Sequence, residues 1–258
     1  MTVWRDGFPQ SYVRLDDPTV LEFEYVAQMA LALDALTTQN PLRATHVGGA
    51  GLTLARYIAH TRLGSPQIVL EPDADLTAAV RAELPLPRGH RIRIRAQDGI
   101  TGVQLLACES ADVVLLDAFH EGRVPASLGT IEFLADVARV LAPGGVLIAN
   151  LADEPGWRYV ARVAASAAAA DLVCCLVGLH EVLKGRRYGN VVLVAVQGRD
   201  LGACGEAALR RAAARCPYPT GVRGPSETAQ LARSARPFTA RDCAPSPEPC
   251  PSNRWRVR

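Results

Sequence analysis

The feature that most restricts how this chain can fold is an apolar run broken by glycines. In Arg43–Tyr57, RATHVGGAGLTLARY, a strand-like stretch ends at Val47 and gives way to Gly48-Gly49-Ala50-Gly51. From Leu52 the apolar residues take helical spacing. A strand, a tight turn and a helix in that order open a βαβ unit. Glycines let the backbone adopt φ > 0 and let a ligand approach closely. The following helix N-terminus offers unpaired N–H groups and a partial positive charge. The stretch is therefore expected to cradle a nucleotide-like cofactor.

The pattern continues along the chain. Strands are expected at Ala44–Val47, Gln67–Leu70, Arg91–Arg95, Asp112–Leu116, Val146–Leu151, Leu172–Leu176 (or on to Leu179) and Asn190–Val196. Helices are expected at Leu52–Arg62, Ala74–Leu84, Ile100–Leu106, Thr130–Leu141 and Trp157–Ala170. Such alternation implies right-handed crossovers and an α/β, doubly wound, Rossmann-like sheet of about seven strands. The last two strands are joined by His180–Tyr188, which reads as a loop, so the final strand should run antiparallel. Arg91–Arg95 alternates isoleucine with arginine and should be half exposed. Residues 1–17 read as a β-hairpin around Asp6-Gly7. Residues 18–41 form a linking helix starting near Asp16-Asp17-Pro18-Thr19. Residues 42–198 form the cofactor domain, and residues 199–233 a helical extension. Residues 234–258, rich in proline, serine and arginine, read as a disordered tail.

Composition removes several function classes. The net charge of +2 gives no argument for nucleic acid. Residues 199–258 carry 11 arginines against 5 acids, which reads as a solvated extension. Seven cysteines form no CxxC and no ligand-spaced Cys/His cluster, so no metal is expected. The odd count and the absence of an apolar signal core favour reduced thiols and a cytoplasmic protein. Cys174-Cys175 should lie in the core. Val160–Leu179 is interrupted by Arg162 and Asp171 and is too polar to span a membrane.

Ligands of open α/β sheets bind at the carboxyl ends of the strands. Here those ends carry the glycine turn with Gly48, Gly49 and Gly51, then Glu71, Asp98 and Asp117. Glu71 lies about 20 residues beyond the turn, where an acid can meet ribose hydroxyls. A dinucleotide fingerprint would need a third glycine where Leu54 stands, and no GKS or GKT follows. Carboxylates at strand ends repel a pyrophosphate. They suit a ribose, an adenine amine and a cationic sulfonium.

These residues resemble class I S-adenosylmethionine-dependent methyltransferases and, within them, the spermidine synthase (aminopropyltransferase) group. Gly48-Gly49-Ala50-Gly51 is similar to the start of that group's GGGDGG turn. Gln97-Asp98-Gly99 is similar to its GDG/GDA segment, and Asp117-Ala118-Phe119 to the start of its D-S/T-S/T-D-P. Leu141–Val146 is similar to its LxPGG step. Glu22–Met29 resembles its EFxYHEM helix, and Gln10-Ser11-Tyr12 stands where its hairpin carries a Tyr-Gln pair. The resemblance covers about residues 3–196. It departs at Gly51 and His120, where the group keeps acids, and at Ala27, where it keeps a histidine. Glu22, Glu121 and Asp153 are the acids that could compensate.

The resemblance implies transfer of an aminopropyl group from decarboxylated S-adenosylmethionine to an amine. The alternatives are methyl transfer from intact S-adenosylmethionine and a non-catalytic binding module. Asp117 is the expected base, with His120 as an alternative. Gln10, Tyr12, Tyr25 and Tyr188 are expected to line the acceptor pocket. The His120–Ser127 loop is placed to close over it. The expected partners are a small amine and a second copy of the chain, with no nucleic acid and no membrane.

Overall fold

The computed structural model describes residues 1–5, 8–197 and 201–249. Strands β1 (Thr2–Arg5) and β2 (Phe8–Tyr12) pair antiparallel as the expected hairpin, whose Asp6-Gly7 turn lies outside the described residues. The first helix, α1, spans Glu24–Leu36 and begins later than the proline signal suggests. The Asp17 carboxylate accepts from the Thr19 amide at 3.0 Å and the Thr19 hydroxyl at 2.6 Å. That local turn consumes the residues that would have capped a helix.

The main sheet is built from β3 (Ala44–Val47), β4 (Gln67–Leu70), β5 (Ile92–Arg95), β6 (Ala111–Leu116), β7 (Leu141–Asp153), β8 (Leu172–Leu179), β9 (Gly189–Gln197) and β10 (Thr220–Arg223). The spatial order is β10-β8-β9-β7-β6-β3-β4-β5. Strands β3 to β7 are mutually parallel, and β9 inserts antiparallel between β7 and β8. The strand order reverses between β3 and β6, so the switch point lies at the glycine turn.

The helices are α2 (Thr53–Thr61), α3 (Ala74–Glu83), α4 (Gly99–Gln104), α5 (Ile131–Val140), α6 (Arg158–Ala169), α7 (His180–Leu183), α8 (Gly202–Ala213) and α9 (Pro225–Arg233). Alternate strand residues feed two cores, as burial on both sides of a parallel sheet requires. Val113, Leu115 and Ile148 join Met29 and Leu33 of α1 on one face. Val114, Leu116 and Leu147 join Phe133, Val137 and Val160 of α5 and α6 on the other. Cys174 and Cys175 are both buried, one toward each core. No helix among the described residues is long and apolar enough to cross a membrane.

Three expectations need correction. Residues 199–233 are not only helical, because Thr220–Arg223 adds an eighth strand antiparallel to β8. With a single large apolar residue, TGVR gives almost no periodic signal, and its pairing is set by the partner edge. Within His180–Tyr188, His180–Leu183 forms a single helical turn. Residues 234–249 are not a loose tail: Phe238 and Ser246 are buried, and the Ile131 amide donates to the Phe238 carbonyl at 2.9 Å.

Candidate active site

The turn after β3 is shaped by close approach. Gly48 has φ +82°, and a Cβ there would overlap the Asp117 carbonyl oxygen. The ends of β3 and β6 therefore meet backbone to backbone, which only glycine permits. Glu71, at the end of β4, is 9% exposed and folds back onto the turn. Its carboxylate accepts from the amides of Gly49 (3.2 Å), Ala50 (3.4 Å) and Asp73 (3.1 Å). These amides are the donors a phosphate would use. A carboxylate already holds them, so a phosphorylated ligand does not fit at the turn. A neutral ribose or a cationic sulfonium does.

The N-terminal hairpin is stapled over the turn. Ser11 Oγ accepts from the Gly51 amide at 3.1 Å, and Thr53 Oγ1 donates to the Tyr12 carbonyl at 3.0 Å. A Cβ on Gly51 would lie 2.8 Å from Ser11 Cβ and 3.0 Å from Val13 Cγ2. No side chain fits there without displacing the hairpin. The glycine at this position is thus coupled to how β2 packs. Tyr12 contributes its backbone here, and its ring is half-buried. The side chain of Gln10 lies outside the described residues.

Ser11, Tyr25, His46, Gly48, Gly49 and Asp117 line one concavity, walled by Leu52, Leu54, Val69 and Leu115. Asp117 is the acidic group in its lining. Burial pushes its carboxyl up to about 6, opposed by a hydrogen bond from Asn150 Nδ2 to Oδ1 at 2.9 Å. Asn150 Oδ1 in turn accepts from Asn190 Nδ2 at 3.0 Å. Asn150 is 1% exposed, so this row of amides fixes which way the Asp117 carboxylate faces. Tyr25 stacks on Phe23 at 5.9 Å, and its phenol is raised well above the usual range by burial and then by the nearby Asp117 charge. His46 is fully enclosed against Gln67 Oε1 at 2.8 Å, and burial lowers it to about 4, so it is neutral.

Other candidates sit apart. Asp98 is exposed and caps α4, accepting from the Thr101 amide at 3.0 Å, and those hydrogen bonds hold its carboxyl below the usual range. It is not among the residues lining the concavity. His120 is exposed on a tight turn closed by reciprocal backbone bonds with Arg123. Tyr188 donates to the Pro247 carbonyl at 3.4 Å, and burial raises its phenol to about 12. Asp153 is 3% exposed and accepts from the Glu154 and Val160 amides, which commits it to the start of α6. The His120–Ser127 loop is pinned by the chain's end: the Val124 amide donates to Ser246 Oγ (2.8 Å), and Arg123 Nε to the Ser246 carbonyl (2.6 Å).

Spacing and strand-end position point to no role for Asn150, Asn190 or Ser11. Asn150 had a usable signal, since it interrupts the otherwise apolar run Val146–Leu151. A buried amide in such a strand must find a partner.

No family model matches the chain. Its fold and sequence are similar to a probable spermidine synthase from Corynebacterium glutamicum, with a TM-score of 0.81 and 30% identity, covering 91% of this chain and 86% of that one. The chain belongs to the spermidine synthase family. Consistent with that family, it is 30% identical over 142 residues to a polyamine aminopropyltransferase from Chromobacterium violaceum. That match covers 55% of this chain and 53% of the relative, about half the length of each. Human methyltransferase-like protein 13, solved with S-adenosylhomocysteine, shares the fold at a TM-score of 0.57 and 18% identity. The spermidine synthase family and the class I methyltransferases thus share this sheet.

Proposed function

We propose that the protein transfers an aminopropyl group from decarboxylated S-adenosylmethionine to a small amine. The observation that carries this reading is the buried Asp117 carboxylate, held by Asn150 beside the glycine turn and Tyr25. When bound, decarboxylated S-adenosylmethionine supplies a carbon on positively charged sulfur, so that attack by an amine nitrogen forms a C–N bond while the C–S bond breaks and methylthioadenosine leaves. The turn and Glu71 hold the adenosine half, the carboxylate accepting from ribose hydroxyls. Asp98, through the oxygen not used in capping α4, meets the adenine amine.

Asp117 attracts the incoming ammonium and accepts its proton, freeing the lone pair for attack. With its carboxyl near 6, it is mostly ionised at pH 7 yet basic enough to take that proton. Positioning does most of the remaining work. Tyr25 and the hairpin residue Tyr12 flank the acceptor, with Tyr188 and His120 at the rim. The amine is the proposed partner, along with a second copy of the chain and a cytoplasmic setting.

A second reading is methyl transfer from intact S-adenosylmethionine. One observation favours it: the family's turn acid, which would hold the cationic aminopropyl end, is Gly51, where Ser11 leaves no room for a carboxylate. Titration with both forms of the cofactor, with and without putrescine, separates the two. Preference for the decarboxylated form, with methylthioadenosine release, supports aminopropyl transfer. Tight binding of the intact form alone would sink it, and binding of neither would leave a module without catalysis.

Glu71→Ala should weaken methylthioadenosine binding by roughly 10- to 100-fold, the loss expected for charged hydrogen bonds of about 1.5–3 kcal/mol. Calorimetry measures it. Unchanged affinity would remove Glu71 from the ribose site.

A further inference from the structure

One face of the sheet is left uncovered where its helix is too short. Thr45, Ile68 and Arg93 lie in register across β3, β4 and β5, on the same side as Val47, Leu70 and Arg95. The helix that covers this side, α4, has only six residues, and its Gly102 lies over Leu70, further along the strands. Parallel strands are normally covered on both faces. Here the half nearer the strand starts opens into a groove of about 450 Å³, within the range of small-ligand sites.

The charged residues of the lining are all basic. Arg91, Arg93, Arg95 and His90 surround a floor that includes Ile68, and no acidic side chain lines the groove. Arg43 also borders it but is neutralised by Asp112, with Nη2 to Oδ1 at 2.5 Å. Arg91 donates to the Gly64 carbonyl at 3.1 Å. The guanidinium groups of Arg93 and Arg95 have no hydrogen-bond or ion-pair partner among the described residues. Successive residues on one face of a strand are about 6.6 Å apart. Two free guanidinium groups at that spacing suit a chain of phosphates, which arginine binds bidentately.

We propose that this groove is a second ligand site, distinct from the glycine turn, that takes a nucleoside polyphosphate. The phosphates lie on Arg93 and Arg95, and the nucleoside lies over Ile68. The glycine turn cannot serve such a ligand, because Glu71 holds its amides. A single-stranded nucleic acid is disfavoured, since such sites use large aromatic stacking platforms and no phenylalanine, tyrosine or tryptophan lines the groove.

Titration of the full chain with ATP, with and without saturating methylthioadenosine, tests the proposal. Binding should weaken as salt rises and should be indifferent to methylthioadenosine. The double variant Arg93→Ser/Arg95→Ser should bind ATP at least tenfold more weakly, while its melting temperature and methylthioadenosine affinity stay as in the parent. The proposal is overturned by any of four results: no binding at millimolar ATP, displacement by methylthioadenosine, undiminished binding in the double variant, or tighter binding of an oligothymidylate than of ATP.

Discussion

Asp117→Asn is expected to lower turnover by roughly 10²- to 10⁴-fold, the usual contribution of a positioned base. It should also make the protein more stable at pH 7. Both effects follow from one observation: burial raises the Asp117 carboxyl to about 6 from its ordinary 3.8. Because the folded value lies above the unfolded one, folding favours the protonated form. The stability this contributes is fully present below about pH 3.8 and is lost as the pH rises through about 6. Above that, the ionised carboxylate costs the fold about 1–3 kcal/mol. An amide at this position removes the cost and can still accept from Asn150. The rate of methylthioadenosine release by the parent should rise with pH, with half its change near 6. Melting curves of parent and variant should coincide near pH 4 and separate by pH 7, the variant higher. A variant that melts lower at pH 7 would contradict the desolvation argument, and one of unchanged turnover would remove Asp117 as the base.

Phe238→Ala is expected to destabilise the protein by about 3–5 kcal/mol, the range for emptying a buried aromatic site. Phe238 is 2% exposed, packs against Tyr159 in a tilted pair with ring centroids 5.5 Å apart and lies 4.0 Å beneath the Arg162 guanidinium. Its backbone amide donates to the buried Ser166 Oγ at 2.8 Å. In a chain of this length the loss corresponds to a fall in melting temperature of roughly 10 °C. Glu248→Ala is the control. It removes only an exposed ion pair with Arg123 at 3.3 Å and should change stability by less than about 1 kcal/mol. If the two variants melt alike, the end of the chain is not docked on α5 and α6.

Such docking was not legible in the sequence, for a physical reason. Residues 234–249 have no regular period, because they bury single anchors, Phe238 and Ser246, among residues that are exposed or half-buried. Periodic signals report regular elements alone. The same limit hid β10, whose pairing depends on the β8 edge. By contrast, β3, β4, β6 and the helices that follow them were readable, because both faces of each strand and one face of each helix are obliged to be apolar. The antiparallel β9 followed from the short connection at 180–188. At the site, strand-end position brings Glu71 and Asp117 to the turn, yet does not tell a lining carboxylate from a capping one. Asp98 and Asp153 occupy equivalent strand ends, and both accept from helix-terminal amides. Only side-chain direction separates these uses, and no spacing rule encodes it.

The row Asn190–Asn150–Asp117 crosses three neighbouring strands, β9, β7 and β6, on one side of the sheet. Asn190 stands opposite Ala152, and Asn150 opposite Val192, so the two amides are diagonal neighbours. A slip of β9 by one residue would turn Asn190 to the other side and leave Asn150 without its donor. Strand β9 is the penultimate strand among the described residues and must wedge between two strands that precede it. The orientation of Asp117, the proposed base, is therefore contingent on that late insertion being in register. A chain arrested before β9 closes would carry every acid of the site and still be unable to aim Asp117, so the onset of turnover during refolding reports the completion of the sheet.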